Sequence, residues 1–466
     1  MEVTADPVVV GRLSIADLVL RFFALMDQFG IEYCVLHGWK DLPDQVGTDV
    51  DVVVAPADRQ RLGAVLAGLE AAGYLPIQCR NYAVHAYRFD FAWFQDEELA
   101  VVGLDLAFEY RYAGILLSSA KDLLQGRRRF NGFYVAAPRA EFVYLLMKKT
   151  VKGEISAAQQ AHLRELAEEL GPEAVRRAAI PLFGSKMGSI VGQACARNEI
   201  ATLLPALRFR LWVRRMALEP WNLIRYWGPE LLRWVRRLAH PTGMSVAVLG
   251  PDGAGKSTLL NSFTVLRPVF GEIRRYHWRP GVVRTLRNQG TPVPQPHAKA
   301  VHGFATSLAS LLAVLADYIV GYWSSVRILM ARSGLALFDR HLYDICVDPV
   351  RYRYAGPLWL AEFAARLAPP RHLLALILAA EENTILERNQ EVAPGELRRQ
   401  IAKYRWLASR WPAARLISAD EPAAKVARRS LQHLCDFRVN EFWRMAPHWL
   451  RISERAVPHP SSLEIQ

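Results

Sequence analysis

Apolar residues recur at three- and four-residue intervals over SIADLVLRFFALMDQFG (14–30), and the run stops at Gly30, so the spacing predicts a helix with a glycine stop. IEYCVLHG (31–38) reads as a strand, and DVDVVV (49–54) as another that alternates at its start. A helix around 57–72, extended stretches near 83–94 and 100–109, and a helix over AEFVYLLMKKTVKG (140–153) make an α/β module that ends near residue 190, with a helical piece (156–180) at its tail. Further along, MSVAVLG (244–250), GLALFDR (334–340) and LLALILAA (373–380) are near-continuous apolar runs, as expected of strands buried on both faces of a parallel sheet.

Between these modules the pattern changes. In 205–243, Phe209, Trp212, Val213 and Met216 line one helical face, with Arg208, Arg210, Arg214 and Arg215 elsewhere. A second pattern sets Leu231, Trp234, Val235 and Leu238 opposite Arg233, Arg236 and Arg237. Arg-rich amphipathic helices with boundary Trp suit an anionic membrane surface. Packing of the apolar faces against the flanking modules is the alternative, and interleaved Trp and Arg is also a way to hold single-stranded nucleic acid, although nucleic acid is not the expected partner. GFATSLASLLAVLADYIVGYWSSV (303–326) has the length of a membrane span. Asp317 inside it would cost several kcal/mol in lipid, so a helix buried in a domain is expected.

The chain has 466 residues, and at ~150 residues per domain that predicts about three domains. Hydrophobic residues at 52% and charged residues at 22% exclude a disordered, collagen-like or coiled-coil chain. The net charge of +13 is uneven: residues 1–200 sum to −4, 201–240 to +6 and 241–466 to +11. An acidic front, a basic hinge and a basic back favour anionic partners for the last two. Five scattered cysteines without a CxxC pair read as buried thiols in a reducing compartment. The N-terminus lacks a basic segment followed by an apolar one, so no secretory signal is expected, and the expected location is cytoplasmic, with peripheral contact at the inner face of the membrane.

The clearest chemistry is in MSVAVLGPDGAGKSTLL (244–260). The loop Gly250, Pro251, Asp252, Gly253, Ala254, Gly255, Lys256, Ser257, followed by Thr258, fits G-x-x-x-x-G-K-[ST] between a predicted strand and a predicted helix. Glycines let successive backbone N–H groups point at a phosphate, and the helix start adds positive potential. Lys256 can reach the β- and γ-phosphates, and the Ser257 hydroxyl can ligate Mg²⁺. The predicted strand 334–340 ends in Asp339 followed by Arg340, as expected of a neighbouring strand carrying a metal-linked carboxylate. Arg388 lies on a helix before a turn at Pro394-Gly395, where a mobile lid would close over ATP.

The loop GPDGAGKST, the segment FDRH (338–341) and the ending LISADEPAAKVARRSL (416–431) resemble the thymidylate kinase-like P-loop kinases over roughly 243–436. The resemblance implies a five-stranded parallel sheet between helices, in three α/β/α layers, and ATP- and Mg²⁺-dependent phosphoryl transfer to a phosphate or hydroxyl acceptor. It implies that Asp339 and Arg340 organise acceptor and metal and that Arg388 belongs to the lid. The acceptor region departs from the family: in 276–297 only Arg279-Pro280-Gly281 matches its acceptor loop. YDICVDPVRYRY (343–354) brings Asp344, Asp348, Arg351 and Arg353 where an acceptor should bind; structural ion pairs are the alternative.

In the front module, alternation places Asp49 and Asp51 on the same side of one strand, and Asp105 lies in a second plausible strand, VVGLDLAFEY. Adjacent like charges are costly unless a cation sits between them. Gly38-Trp39, Asp49, Asp51 and Asp105 resemble the nucleotidyltransferase-superfamily pattern over roughly 14–150, a mixed α/β fold in which the three aspartates would bind Mg²⁺. Trp39 departs from it, standing where a small residue lets a triphosphate approach, and Lys148 and Lys152 are candidate phosphate contacts.

The expected organisation is a nucleotidyltransferase-like domain with a helical tail (1–190), a basic amphipathic linker (191–242), a P-loop kinase domain (243–440) and a tail (441–466). The expected function is a kinase fused to a module that activates its product for surface polysaccharide or envelope synthesis. The alternatives are a nucleoside monophosphate kinase with an inert front domain, and an ATP-sensing regulator whose front module modifies or binds a macromolecule. The acceptor and the oligomeric state, a homodimer among the options, are left open.

Overall fold

The computed structural model describes residues 13–46, 50–83, 85–112, 115–218, 221–282, 301–370, 373–388 and 394–450. The chain divides into two compact units: Met1–Gln95 with Val102–Arg233 and Phe442–Gln466, and Asp96–Val101 with Trp234–Glu441.

The first unit runs through α1 (Ile15–Gln28), β1 (Tyr33–Val35), β2 (Val50–Val54), α2 (Leu62–Ala71), β3 (Leu75–Ala83), β4 (Ala86–Gln95), β5 (Glu98–Ala107), β6 (Glu109–Tyr112), β7 (Ile115–Ser119), α3 (Ala120–Leu124), β8 (Arg128–Phe130), β9 (Phe133–Val135) and α4 (Pro138–Lys152). Helix α1 begins where the Ser14 hydroxyl accepts the Asp17 amide, the ordinary polar cap. Its buried Phe23 stacks on Tyr33 of β1 and Phe133 of β9, at ring separations of 5.1 and 4.9 Å. Seven strands make one mixed sheet in the order β3-β4-β5-β2-β1-β9-β8. Strand β3 is invisible in the hydrophobic pattern because two register shifts break its pairing with β4 and Gln78 is buried within it.

Helices α5 (Ala157–Leu170), α6 (Pro172–Phe183), α7 (Ser185–Ala196) and α8 (Ile200–Leu218) follow. Their Leu163, Val175, Leu182, Val191, Leu207 and Leu211 join Phe142 and Leu146 of α4 in one core. Packing therefore continues past residue 190, well into the stretch expected as linker. The buried face of α8 is its leucines; Phe209, Trp212 and Val213 are exposed. Helix α9 (Asn222–Ala239) completes the segment.

The second unit runs through β10 (Met244–Leu249), α10 (Lys256–Ser262), α11 (Arg267–Phe270), β11 (Ile273–Tyr276), α12 (Phe304–Gly321), α13 (Arg327–Ala331), β12 (Leu335–Asp339), α14 (Asp344–Val347), α15 (Leu358–Leu367), β13 (Leu373–Ala379), α16 (Glu382–Arg388), α17 (Pro394–Arg410), β14 (Ala414–Ser418) and α18 (Ala423–Met445). Five strands, ordered β11-β12-β10-β13-β14, pair in parallel throughout. On one face Ala247, Leu249, Phe338, Ala375 and Ile377 pack against residues of α12, α15 and α17. Their neighbours Val246, Val248, Leu374 and Leu376, on the opposite face by alternation, are equally buried.

The apolar stretch expected as a buried helix is α12, and it is buried on one side only. Leu311, Val314, Asp317 and Tyr318 face inward, while Leu312, Ile319 and Val320 are exposed. Asp317 is tolerated because Arg279 pairs with it at 3.2 Å and the Gly281 amide donates to it at 2.8 Å, both side chains being buried. That pair clamps the turn after β11 onto α12. Removing one member of such a pair strands a buried charge, at about 3–5 kcal/mol, whereas replacing both with apolar groups is often neutral. Urea unfolding should therefore show Asp317→Ala destabilised by about that much, and Arg279→Met with Asp317→Leu substantially less so.

Candidate functional site

Strand β10 lies between β12 and β13, so the crossovers to its two neighbours diverge and leave a crevice at the carboxyl ends of the strands, where open α/β sheets bind ligands. The loop from Gly250 to Gly255 turns in that crevice. Gly250, Gly253 and Gly255 have φ of +146°, +86° and +87°, a region side chains rarely enter. A Cβ on Gly250 would lie 2.7 Å from the carbonyl oxygen of Leu378 in β13, so the loop passes flush against its neighbouring strand.

Lys256 is turned back into its own loop, where its ammonium donates to the carbonyls of Gly250 (2.9 Å) and Pro251 (2.7 Å) and lies 3.2 Å from the Asp252 carboxylate. Burial, reinforced by the Arg340 charge, lowers its pKa to about 8, with Asp252 pulling the other way. Asp252 is the hub, because Arg340 and Arg351 also donate to its two oxygens. Burial opposes its ionisation, yet Lys256, Arg340 and Arg351 together hold the carboxyl well below the usual range. Three cations around one carboxylate leave a surplus of positive charge, which a phosphate chain would complement.

Asp339 ends β12. Arg275 donates to it at 3.0 Å and His277 Nδ1 lies 3.7 Å away. Burial again opposes ionisation, but hydrogen bonds from His277 and Arg275, helped by the Lys256 charge, keep the carboxyl below its ordinary value. Arg340 follows in the left-handed region at φ +87°, a strained conformation for a side-chain-bearing residue.

One cavity of about 710 Å³ gathers these groups: it is lined by loop residues Asp252–Thr258 with Asp339, Arg340, Arg351 and Arg388. Arg388 reaches it from α16, with one guanidinium nitrogen 3.0 Å from the Ala419 carbonyl. Gly250 and Pro251 lie beneath the lining, their carbonyls facing Lys256. Three expected substrate contacts are placed elsewhere. Arg279 is held by Asp317. Asp344 is buried, accepts the Tyr404 hydroxyl and the His341 amide, and has its carboxyl pushed up by burial. Arg353 lies outside the cavity lining, with its carbonyl accepting the His302 amide. Sequence reasoning missed Arg275 and His277; their two-residue spacing on and just beyond β11 was the available signal.

In the first unit, β2 and β5 pair in parallel with Asp51 opposite Asp105. Asp49 lies outside the described residues. Asp51 accepts Lys148 at 2.6 Å and the Tyr144 hydroxyl at 3.2 Å, with His37 at 2.7 Å. Burial opposes its ionisation, but His37 and Lys148 hold it well below the usual range. Arg88 lies 3.7 Å from Asp105 and its guanidinium covers Gly103 so closely that a Cβ there would meet it at 2.3 Å. Lys148 thus balances Asp51, whereas Arg88 is shared between Asp90, at 2.8 Å, and Asp105, and the described residues contain no group of three His, Cys, Asp or Glu placed to hold a metal. Trp39 is buried and donates to Glu141 at 3.0 Å, making it an anchor for α4.

No protein-family model matches the chain, and no curated protein matches it. Among solved structures, thymidylate kinase from Ehrlichia chaffeensis is similar over 41% of this chain and 97% of its own, with 15% identity and a TM-score of 0.30.

Replacing Asp252 with Asn removes the carboxylate that Lys256, Arg340 and Arg351 share, at about 2–3 kcal/mol. Thermal unfolding should show that deficit shrink when pyrophosphate is added, because the anion replaces the lost carboxylate. In the first unit, the folded-state pKa of Asp51 lies below its unfolded value, so its contribution is complete above about pH 4 and is lost as pH falls toward the folded value. Lys148→Met moves the two values together. Urea titrations should show wild type losing stability more steeply than Lys148→Met between about pH 4 and pH 2.

Proposed function

We propose that the second unit is an ATP- and Mg²⁺-dependent phosphotransferase acting on a small phosphate- or hydroxyl-bearing acceptor. The observation that carries this reading is the single cavity in which the glycine loop and Lys256 meet Asp339 and three arginines. Lys256 would exchange the Gly250 and Pro251 carbonyls for the β- and γ-phosphate oxygens. Arg340 and Arg351 would leave Asp252 for phosphate, so that binding the polyanion trades one set of ion pairs for another inside a low-dielectric pocket. An acceptor phosphate oxygen would attack the γ-phosphorus while the bond from that phosphorus to the bridging oxygen breaks and ADP leaves with the electron pair; a hydroxyl acceptor would also give up its proton to solvent. Arg388 would neutralise charge on the transferred group from α16.

The metal fits the donors present: the Ser257 hydroxyl and the Asp339 carboxylate are hard oxygen ligands lining the same cavity, and Asp339 is kept ionised. When bound there, Mg²⁺ supplies charge neutralisation across the β- and γ-phosphates.

For the first unit, the register pairing of Asp51 with Asp105 supports a nucleotidyltransferase-like module that would pass a nucleotidyl group from a nucleoside triphosphate to the phosphorylated product, releasing pyrophosphate and leaving a nucleotidyl conjugate, a precursor for surface polysaccharide or envelope polymer. The Lys148 ammonium held on Asp51 supports a front unit that binds without transferring. The two readings differ in what Asp51→Asn does: loss of a nucleotidyl conjugate from the product spectrum supports the first, and an unchanged spectrum the second.

The decisive assay is ADP release and product mass after mixing the protein with ATP, Mg²⁺ and thymidine monophosphate, then with sugar phosphates. Lys256→Ala should lower turnover by ~10²–10³-fold. Diphosphate formation identifies a nucleoside monophosphate kinase, and phosphorylation of a sugar phosphate identifies a rebuilt acceptor site. ATP binding with no phosphorylated product from any acceptor overturns the kinase reading in favour of an ATP sensor.

A further inference from the structure

We propose that α9 seats this protein in the plane of a bilayer surface rich in anionic lipid. Along α9, Ile224, Trp227, Leu231, Trp234, Val235 and Leu238 recur at three- and four-residue spacing, an uninterrupted apolar stripe. The structure leaves that stripe open: Ile224 is 68%, Trp227 62% and Leu231 66% exposed. Single exposed apolar residues are ordinary, but a contiguous stripe of them marks an interaction surface. Trp221, next to the start of the helix, is 69% exposed and extends it.

The chemistry around the stripe selects the occupant. The one acid on the helix, Glu230, is spent on Arg233 within the same helix. Arg236 is exposed and adds positive charge beside the apolar residues. Residues 201–240 carry eight arginines against two glutamates. A second copy of this chain on the same stripe would bring like-charged arginines together. Anionic head groups would instead satisfy them, while the tryptophans take their favoured place at the boundary between hydrocarbon and water. Arginines throughout α9, with Pro229 inside it, suit a helix lying in the interface and not one crossing it.

Within the second unit, an exposed patch adjoins the last residues of α9. The Arg327 guanidinium donates to the carbonyls of Leu238 and Ala239, at 2.5 Å each, and lies 5.7 Å from the centres of the Tyr322 and Trp323 rings. Trp323 is itself exposed, as are Ile319 and Val320 on α12. Helix 304–331 has the length and hydropathy of a membrane span, but Asp317 ties its inner side to Arg279, so only its outer side is free for lipid.

Co-sedimentation of the full chain with vesicles tests the proposal. Phosphatidylcholine vesicles containing about a third phosphatidylglycerol should pellet the protein at low salt, pure phosphatidylcholine should pellet far less, and raising salt from about 0.1 M to about 1 M should weaken binding. Trp227→Ser with Leu231→Ser should lower the partition coefficient by at least about 10-fold. Because both residues are largely exposed, the urea midpoint should not move. Arg236→Glu should weaken binding to the anionic vesicles only. No pelleting at low salt, or pelleting that the double variant leaves unchanged, overturns the proposal. So does a concentration-dependent dimer that the double variant abolishes while vesicles fail to bind, which would assign the stripe to a second copy.

Discussion

A parallel strand that begins in the middle of its sheet sends its crossovers in opposite directions, and the space where they part is the one place the sheet leaves open at its carboxyl edge. Strand β10 is that strand, flanked by β12 and β13. Because the three central strands β10, β12 and β13 are buried along their whole length, they carry almost no polar side chains, and the chemistry is displaced to their ends: the glycine loop after β10 and Asp339 at the end of β12. The loop can turn there only because Gly250 presents no Cβ to the Leu378 carbonyl. Register between the strands then sets how close the loop and Asp339 come, so the geometry of the site is inherited from the sheet.

Burying cations near that edge demands carboxylates, and the second unit uses two kinds. Asp317 answers Arg279 within a buried pair and fixes the turn after β11 to α12. Asp252 answers three cations at once and cannot neutralise them all. The first arrangement is a clamp; the second leaves positive charge that one carboxylate does not cancel. Burying any of these ions costs several kcal/mol before pairing repays it, which explains why each buried carboxylate in this region is wired to a named donor. In the first unit the same accounting places Lys148, His37 and Arg88 against Asp51 and Asp105.

Helix α8 shows how one helix can carry two competing apolar faces. On α8 the leucines Leu204, Leu207 and Leu211 meet the core of the helical tail, while Phe209 and Trp212 face outward. Periodicity identifies that an apolar face exists, but which of two faces is covered depends on the partner surface, and α4 with α6 supplies it.

Much of the fold was legible because the signals are local. Backbone sterics make glycines at 250, 253 and 255 diagnostic of a tight positive-φ loop, and continuous apolar runs give away strands buried on both faces. The order β11-β12-β10-β13-β14 follows from no local signal, nor does the meeting of Arg351 and Arg388 with Lys256, since these depend on contacts across ~100 residues of chain. Arg279 and Asp344 show the converse: a charged residue beside a motif reads as a ligand contact from sequence, and only packing reveals that its charge is already answered inside the protein. Residue type and spacing determined which chemistry this chain can carry and where its long amphipathic helices and its buried central strands lie. Tertiary structure decided which charges are free to meet a ligand, because neutralisation is a property of neighbours in space.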